Sequence, residues 1–168
     1  MVFDEVYKAH YRELIRFSHQ LNHSTVKSED LVQDTFMKFY VELAKNSQIS
    51  NPRAWLYKVL LNTFRTQYTS EKKELQVMEI LSNQNNVKHD LQKDHFSEEK
   101  HEIVLKVLDT LPDNVREILV LYNNGFSYAE ISEIMDINPA SVGTTLVRAI
   151  SKLKEILKLH YHEMFEQN

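Results

Sequence analysis

The stretch from Ser127 to Lys154 constrains the fold more than any other part of this sequence. Ser127 and Glu130 have the S-x-x-E spacing of a capping box, in which each side chain accepts a backbone N–H at the start of a helix. Asn138 and Pro139 form a second start signal, because asparagine is a good N-cap and proline fits the first helical position. Two short helices joined by about three residues form a helix-turn-helix, whose second helix usually enters the DNA major groove.

The outer face of the second helix carries side chains of types that contact phosphates and base edges. Opposite its apolar stripe lie Thr144, Arg148 and Ser151, with Ser141 and Lys152 at the edges. Gly143 should cost about 1 kcal/mol in a helix interior, which suggests a close approach of the DNA backbone. The alternative is an ordinary surface helix hairpin in an all-α protein.

The composition favours helices throughout the chain. The 168 residues include only 2 Gly and 3 Pro, which argues against a many-turned β architecture. Apolar residues at helical spacing occur on both sides of a polar stretch with few apolar anchors. We therefore predict an all-α fold of two small helical domains joined by a flexible linker, the C-terminal one a helix-turn-helix. The predicted bounds are residues 1–72, 73–97 and 98–168.

Several kinds of site and segment are excluded or disfavoured. With 0 Cys, the chain can form neither disulfides nor thiolate metal sites. No run approaches 18 apolar residues, so no membrane insertion is expected. The first ten residues lack the basic and apolar regions of a signal peptide. We therefore expect a cytoplasmic protein, and no motif in the sequence calls for a cofactor.

Three helices are predicted in the first domain, over residues 3–21, 29–43 and 53–68, and residues 75–81 are expected to add a helical turn or two. Ser28 or a near neighbour is expected to cap the second helix, and Asn51 with Pro52 repeats the asparagine-proline start signal before the third. The apolar face of the second helix is predicted to contain Leu31, Val32, Thr35, Phe36, Phe39, Tyr40 and Leu43. Its other face carries Asp30, Gln33, Asp34 and Lys38, a pattern that usually marks solvated surface. The spacing of Trp55 predicts that it lies on the buried face of the third helix, although its ring could stack on a base.

The charge distribution limits what the C-terminal domain can do alone. Residues 98–168 contain 7 Lys and Arg against 12 Asp and Glu, although residues 139–158 contain 4 against 1. An acidic domain with one locally basic helix permits DNA contact, but it predicts weak non-specific affinity. We therefore expect a larger partner to supply most of the binding.

Three segments in order resemble the bacterial sigma factors of the extracytoplasmic-function type. They are SEDLVQDTFMKFY, NPRAWLYKVLLNTFR and LPDNVREILVLYNNGFSYAEISEIMDINPASVGTTLVRA. The resemblance implies region 2 in the first domain, region 4 in the second and no enzymatic activity. It implies that the protein binds core RNA polymerase and directs it to promoter DNA. It also suggests an anti-sigma factor as a further partner.

The resemblance also assigns roles to residues, position by position. It implies that region 4 reads the −35 element as duplex and that region 2 reads and helps to open the −10 element. The −35 contacts would be Ser141, Thr144, Thr145, Arg148 and Lys152. The −10 contacts would be Asn51, Arg53, Asn62 and Arg65, with the loop at residues 46–51 capturing a flipped-out base. The polymerase contacts would be Asp30, Gln33 and Asp34.

The chain departs from the family pattern at four positions on or near the DNA contacts. Leu61 stands where many members have Arg or Lys, and Thr66 lies where an Asp is frequent. Gly143 and Thr145 replace frequent Lys and Arg in the recognition helix. Fewer cations predict a shallower salt dependence of DNA binding or a greater reliance on polymerase contacts.

Two functions of other classes remain open from the residues alone. A stand-alone helix-turn-helix regulator with an N-terminal sensor or dimerisation domain would need a more basic DNA-binding domain, usually dimeric. A metal-dependent enzyme would rest on His19 and His23 alone, whose i, i+4 spacing suits a metal. Neither a third ligand nor a general base is apparent, so we expect surface histidines and no metal site.

Overall fold

The computed structural model describes residues 2–22, 24–45, 48–81 and 99–165, and these are helical apart from caps and short connections. The helices are α1 Val2–Asn22, α2 Thr25–Ala44, α3 Pro52–Leu81, α4 Glu99–Asp109, α5 Asp113–Asn123, α6 Tyr128–Met135 and α7 Pro139–Phe165. The predicted all-α class is confirmed. None of the helices in the described ranges is long and apolar enough to cross a membrane.

The chain divides into two compact units, one of residues 1–18 with 24–93 and one of residues 19–23 with 94–168. Residues 82–98, which hold most of the predicted linker, lie outside the described residues. We call the first the N-terminal unit and the second the C-terminal unit.

The core of the N-terminal unit is formed by α1, α2 and α3. Its fully buried side chains include Leu14, Phe17, Leu31, Phe39, Leu56, Tyr57, Leu60 and Leu61. The rings of Phe17 and Tyr57 lie 4.6 Å apart, so α1 and α3 meet through aromatic contact. Burying such side chains stabilises the unit by about 1.5–3 kcal/mol each, before entropy is counted.

The helix ends in the N-terminal unit agree only partly with the prediction. Ser24 caps α2, which begins four residues before the predicted start, and the buried Ser28 donates its hydroxyl to the Ser24 carbonyl at 2.7 Å. Asn51 caps α3 as predicted, because its Oδ1 accepts the Ala54 N–H at 3.0 Å. α3 continues to residue 81 because residues 69–81 contain neither glycine nor proline to end it.

The C-terminal unit builds the predicted helix-turn-helix from local signals. The capping box is complete: Ser127 Oγ accepts the Glu130 N–H at 3.3 Å, and Glu130 Oε2 accepts the Ser127 N–H at 2.9 Å. Asp136 ends α6 in the left-handed conformation at φ 55°. Asn138 Oδ1 then accepts the Ala140 N–H at 2.9 Å at the start of α7. The helices bury Ile131, Ile134, Val142, Leu146 and Ala149.

Arg116 fixes the connection between α4 and α5. It is buried, and it donates to Asp109 at 2.9 Å and to Asp113 at 3.3 Å, on either side of Pro112. A buried guanidinium is tolerated because two carboxylates compensate its charge. This clamp holds the layer against which the helix-turn-helix packs.

Candidate nucleic-acid and partner interfaces

The recognition face of α7 is polar and open to solvent over its first four turns. Thr144, Arg148 and Lys152 are exposed, whereas Ser141 and Thr145 are half-buried. The hydroxyls of Ser141 and Thr144 donate to backbone carbonyls at 2.6 Å and 3.1 Å. Their oxygens keep lone pairs for donors such as base amino groups, while Arg148 and Lys152 supply the cations for phosphates or guanines.

Gly143 lies against a side chain of the other helix of the motif. A Cβ built on Gly143 would lie 3.2 Å from Cε2 of Tyr128, which is the first residue of α6. The missing side chain therefore lets the Tyr128 ring pack against α7. The approach of the DNA backbone stays a prediction beside this contact between the two helices of the motif.

A second polar face runs along α3 and contains two of the four predicted −10 residues. Asn62 is exposed and Arg65 is half-buried one turn further, and at about 100° per residue they share a face with Lys58, Lys72 and Lys73. The hydroxyl of Thr66 donates to the Asn62 carbonyl at 2.9 Å. The face therefore combines an amide with several cations, a set that suits both bases and phosphates.

Leu61 is 0% exposed, so it belongs to the core of the N-terminal unit and not to the α3 face. Leucine in place of the family's frequent Arg or Lys at position 61 therefore removes no cation from the face that carries Asn62. Thr66, by contrast, is exposed on that face. Only the second of these two departures changes the surface.

The other two predicted −10 residues lie elsewhere. Asn51 is exposed, but its Oδ1 is used in capping α3. Arg53 lies nine residues before Asn62, on the opposite side of the helix. Its Nε is 3.5 Å from Glu13 Oε2, and its guanidinium carbon lies 5.5 Å from the centre of the Tyr57 ring. The structure thus brings Arg53 to α1 rather than to the face of Asn62.

The Tyr57 ring, which lies under the Arg53 guanidinium, has a shifted pKa. Burial, followed by the charge of Glu13, raises the pKa of Tyr57 to about 12, and Arg53 and Arg16 partly oppose this change. The phenol therefore stays protonated at any physiological pH, and its role is structural.

A groove of about 350 Å³ lies between α2 and α3. It is lined by Met37, Lys38, Val41, Glu42, Lys45, Trp55 and Val59. Trp55 is half-buried, with its ring 5.5 Å from Phe39, so it lies at the edge of the core and also faces the groove. Lys38 Nζ donates to the Thr63 hydroxyl at 2.7 Å. The floor is apolar, and the rim carries Lys38 and Lys45 with Glu42, whose Oε2 lies 3.2 Å from Lys45 Nζ. An aromatic ring with two lysines beside it matches the chemistry of a base and its phosphate.

The outer face of α2 carries the three predicted polymerase contacts. Asp30, Gln33 and Asp34 are all exposed on it. The same face also exposes Val26, Met37 and Val41, with Met37 64% exposed. The α2 face follows the spacing of a coiled-coil seam, four and three residues in alternation, with two polar members: Val26, Asp30, Gln33, Met37, Tyr40 and Ala44. This spacing was a signal in the sequence that the periodicity argument for the opposite face overlooked.

Tyr40 was predicted to lie inward, and this was wrong. It is 59% exposed at the edge of the α2 face, because the buried arc of α2 is set by where α1 and α3 contact it. Among the described residues, no group of three histidines or carboxylates could hold a metal ion. His23 lies outside the described residues, so the spacing of the histidine pair is not described.

Comparisons with known proteins agree on the family of both parts of the chain. The family model "Sigma-70 region 2" matches residues 6–74, and "Sigma-70, region 4" matches residues 101–153. The chain is 31% identical to the ECF RNA polymerase sigma factor SigM of Bacillus subtilis over 157 residues, which is 93% of this chain and 95% of SigM. It is 31% identical to the RNA polymerase sigma factor YlaC of the same organism over 156 residues, 90% of each chain.

A solved structure supports the same relationship. The sigma factor RpoE of Bartonella quintana, in complex with the anti-sigma factor NepR, matches with a TM-score of 0.74 and 28% identity. The match covers 94% of this chain and 98% of that one. Two family regions in this order on one chain do not favour a stand-alone regulator.

Proposed function

This chain belongs to the extracytoplasmic-function sigma factors of the sigma-70 family and directs promoter-specific transcription initiation, and we propose that three of its surfaces divide this work. The outer face of α2 binds core RNA polymerase. The α3 face and the α2–α3 groove read the −10 element, and α7 reads the −35 duplex. We propose that residues 1–72 act as region 2 and residues 98–168 as region 4, with residues 73–97 as the linker between them, and that the protein acts in the cytoplasm by binding, without catalysis.

The observation that carries the −35 assignment is the capped helix-turn-helix with Thr144, Arg148 and Lys152 exposed on its second helix. Arg148→Ala should weaken −35 recognition by the holoenzyme by about 1–3 kcal/mol, the range for a side chain that reads a base. Lys154→Ala is the matched control, because Lys154 is also exposed on α7 but lies on a different side of it. Footprinting of the −35 element measures both.

We assign the α2–α3 groove to an unpaired base of the opened −10 element. Unstacking a base costs a few kcal/mol, and stacking on an aromatic ring returns about 1–3 kcal/mol per base. Trp55 supplies the ring, and Lys38 and Lys45 are placed for the adjoining phosphates. Asn62 and Arg65 continue the path along α3, whereas Asn51 and Arg53 act first by capping α3 and by contacting α1.

The chain contains 1 Trp, so its intrinsic fluorescence reports this groove directly. A single-stranded oligonucleotide carrying the −10 sequence should quench the emission of the free protein, and Lys45→Ala should weaken that effect. Lys154→Ala should leave the quenching unchanged. Unchanged emission at saturating oligonucleotide would remove the groove from the proposal.

The polymerase assignment depends on the mixed character of the α2 face. This face exposes the apolar side chains of Val26, Met37 and Val41 beside the carboxylates of Asp30 and Asp34, which fits a partner helix with an apolar stripe and basic flanks. Asp30→Ala and Asp34→Ala should weaken binding to core polymerase, whereas Arg148→Ala should not. Equal losses from Asp34→Ala and Arg148→Ala would contradict the division of labour.

We also propose an anti-sigma factor as a partner, supported by the relative from Bartonella quintana that was solved with one. A partner of this kind would occlude the polymerase face of α2 and the DNA faces together. A protein that copurifies with the tagged chain should then be released when core polymerase is added. Core polymerase should release less of this protein from the Asp34→Ala chain, because that chain binds the polymerase more weakly.

The experiment that tests the whole proposal is transcription in vitro with purified core polymerase and a pool of genomic promoters. The protein should start transcripts at a defined subset of promoters, and only when core polymerase is present. Tight operator binding by the protein alone, without any stimulation of core polymerase, would contradict the proposed function.

A further inference from the structure

The two lysines at the rim of the α2–α3 groove have partners of different kinds. Lys45 Nζ lies 3.2 Å from Glu42 Oε2, so its charge is compensated by a carboxylate. Lys38 Nζ instead donates to the hydroxyl of Thr63 on α3 at 2.7 Å. A neutral hydroxyl fixes the position of an ammonium group but does not neutralise it. Lys38 is therefore a cation that is held in place and keeps its charge.

The oxygen that holds Lys38 is itself fixed. The hydroxyl of Thr63 donates its proton to the Val59 carbonyl at 2.9 Å, which leaves its lone pairs to accept from the lysine. Thr63 is half-buried, and a β-branched side chain has few rotamers in a helix. A lysine, in contrast, carries its ammonium on a flexible four-carbon chain. The threonine thus orders the more mobile of the two side chains.

The ammonium of Lys38 reaches across to α3 and not along α2. Asp34 precedes Lys38 by four residues and Glu42 follows it by four, spacings at which a carboxylate and a lysine on one helix can pair. In the part of the chain that the structure describes, Lys38 forms an ion pair with neither of them. The hydrogen bond to Thr63 therefore directs the charge toward the side of the groove that α3 forms.

Thr63 lies where the groove meets the polar face of α3. Trp55 and Asn62 are seven residues apart, about two helical turns, so they lie on the same side of α3. Val59, which lines the groove, precedes Thr63 by one turn. A strand with one base stacked on Trp55 that continues along α3 to Asn62 passes the ammonium of Lys38. Aromatic rings with cations beside them are typical of grooves that bind single strands.

We propose that Thr63 is a positioning residue for promoter opening, which holds the Lys38 ammonium where it binds one backbone phosphate of the opened −10 strand. The inference rests on the proposed function of the groove and adds a residue that acts through Lys38. Ordering the ammonium before the DNA arrives reduces the side-chain freedom that is lost on binding. Lys45, whose charge Glu42 compensates, contributes less to this phosphate contact.

The test measures the affinity of full-length variants for a single-stranded oligonucleotide that spans the −10 element of a promoter transcribed by the holoenzyme. The fluorescence of Trp55 reports binding. Lys38→Ala should reduce the slope of log K against log salt by about 0.7, the share of one phosphate on a single strand. Thr63→Val replaces the hydroxyl by a methyl group and should weaken binding about 3- to 10-fold, the effect of ordering one long side chain. Its salt slope should change less, because Lys38 keeps its charge.

A conservative variant and a matched control protect the test against a general effect on folding. Thr63→Ser keeps the hydroxyl and should restore most of the affinity that Thr63→Val loses. Thr35→Val is the control, because the Thr35 hydroxyl also donates to a carbonyl one turn earlier, that of Leu31 at 2.7 Å, but Thr35 is fully buried. It should leave the affinity unchanged. Thermal unfolding of each variant shows whether the fold is intact.

A neutral methylphosphonate linkage, placed at one phosphate at a time, shows whether Thr63 acts through Lys38. At the phosphate that Lys38 binds, this linkage should weaken wild type but not Lys38→Ala, and it should abolish the difference between wild type and Thr63→Val. Thr63→Val should likewise cause no further loss in a Lys38→Ala background. An equal loss in both backgrounds would mean that Thr63 only supports the helix, and it would overturn the inference.

Lys38→Ala separates this inference from the proposed function. If Lys38→Ala weakens binding while Thr63→Val matches wild type, Thr63 does not position the lysine, and the inference is overturned while the groove assignment stands. If Lys38→Ala itself matches wild type, Lys38 contacts no phosphate, and the inference fails although Trp55 still reports a bound base. If wild type does not bind the oligonucleotide, the proposed function of the groove fails first and the inference fails with it.

Discussion

The two units of this protein are both helical and both begin helices at side-chain caps, but their helices end differently. In the C-terminal unit, α6 and α7 begin at side-chain caps, and α6 ends at Asp136 in the left-handed conformation. In the N-terminal unit, α2 begins before its predicted cap, and α3 continues to residue 81. Local side-chain chemistry therefore determines boundaries where strong caps occur, whereas a helix without a stop signal runs on.

The units also differ in how completely the predicted apolar stripes of their helices are buried. The apolar stripe predicted for α7 is buried at Val142, Leu146 and Ala149. The stripe predicted for α2 is buried except at its end, where Tyr40 is exposed, and Met37 and Val41 lie on the opposite face. Periodicity alone therefore gives the buried side of a helix only approximately, because the neighbouring helices decide which apolar side chains are covered.

The largest expected effect tests whether the two cores are separate. Phe17→Ala should cost about 3–5 kcal/mol, because Phe17 is fully buried against Tyr57. Hydrogen exchange should then accelerate in α2 and α3 and remain near wild type in α6 and α7. Ile131→Ala, at a fully buried position of the other unit, should give the opposite pattern. Equal acceleration in both units would show one cooperative core.

The second effect depends on pH and belongs to the N-terminal unit. Burial and Glu13 raise the pKa of Tyr57 from its ordinary value of 10.0 to about 12 in the folded protein. The folded state then holds its proton more tightly than the unfolded state, so this stability is present below pH 10 and is lost as the pH rises toward 12. Two pH units correspond to about 2–3 kcal/mol.

Tyr57→Phe provides the control for that measurement. Urea unfolding from pH 9 to pH 12 should show the difference between wild type and Tyr57→Phe shrinking or reversing as the pH rises. Amides of α1 and α3 should report the change by hydrogen exchange. A difference that stays constant over this range would mean that Tyr57 ionises as it does in the unfolded chain.

Much of the fold was available from the sequence, whereas its surfaces were available only in part. The caps at Ser127, Asn138 and Asn51 are local, and all three were predicted correctly. The contact of Gly143 with Tyr128 joins residues from two helices, so no local sequence pattern predicts it. The same is true of the α2–α3 groove, which exists only once both helices are packed.

The third effect concerns the sparse cations of the recognition face. Thr145→Arg should add about one phosphate contact to −35 binding and steepen the slope of log K against log salt by about 0.9. At 0.1 M salt this corresponds to about a tenfold gain in duplex affinity. Thr145 is half-buried at the edge of the face, so the longer side chain can extend toward solvent.

Lys154→Arg is the control for Thr145→Arg, because it keeps the charge and lies on another side of α7. Its salt slope should equal that of wild type. An unchanged slope for Thr145→Arg would place this edge of α7 away from the DNA backbone. The comparison would then shift the electrostatic part of promoter binding to the cations of the α3 face.

The smallest effect tests the contact that explains Gly143. Replacing a helical glycine by alanine is usually worth about 0.5–1 kcal/mol of stability. Here the new Cβ would lie 3.2 Å from Tyr128, so the ring must shift by a few tenths of an ångström. Tyr128 is exposed enough to do so, and Gly143→Ala should therefore stabilise the C-terminal unit by only about 0.3–0.5 kcal/mol.

A double-mutant cycle isolates that contact. In a Tyr128→Ala background the obstacle is gone, and Gly143→Ala should show the full gain of about 0.5–1 kcal/mol. The same gain in both backgrounds would mean that Tyr128 does not restrict position 143. In that case the explanation for the glycine would return to the DNA, and the affinity of Gly143→Ala for −35 duplex would fall while its stability rose.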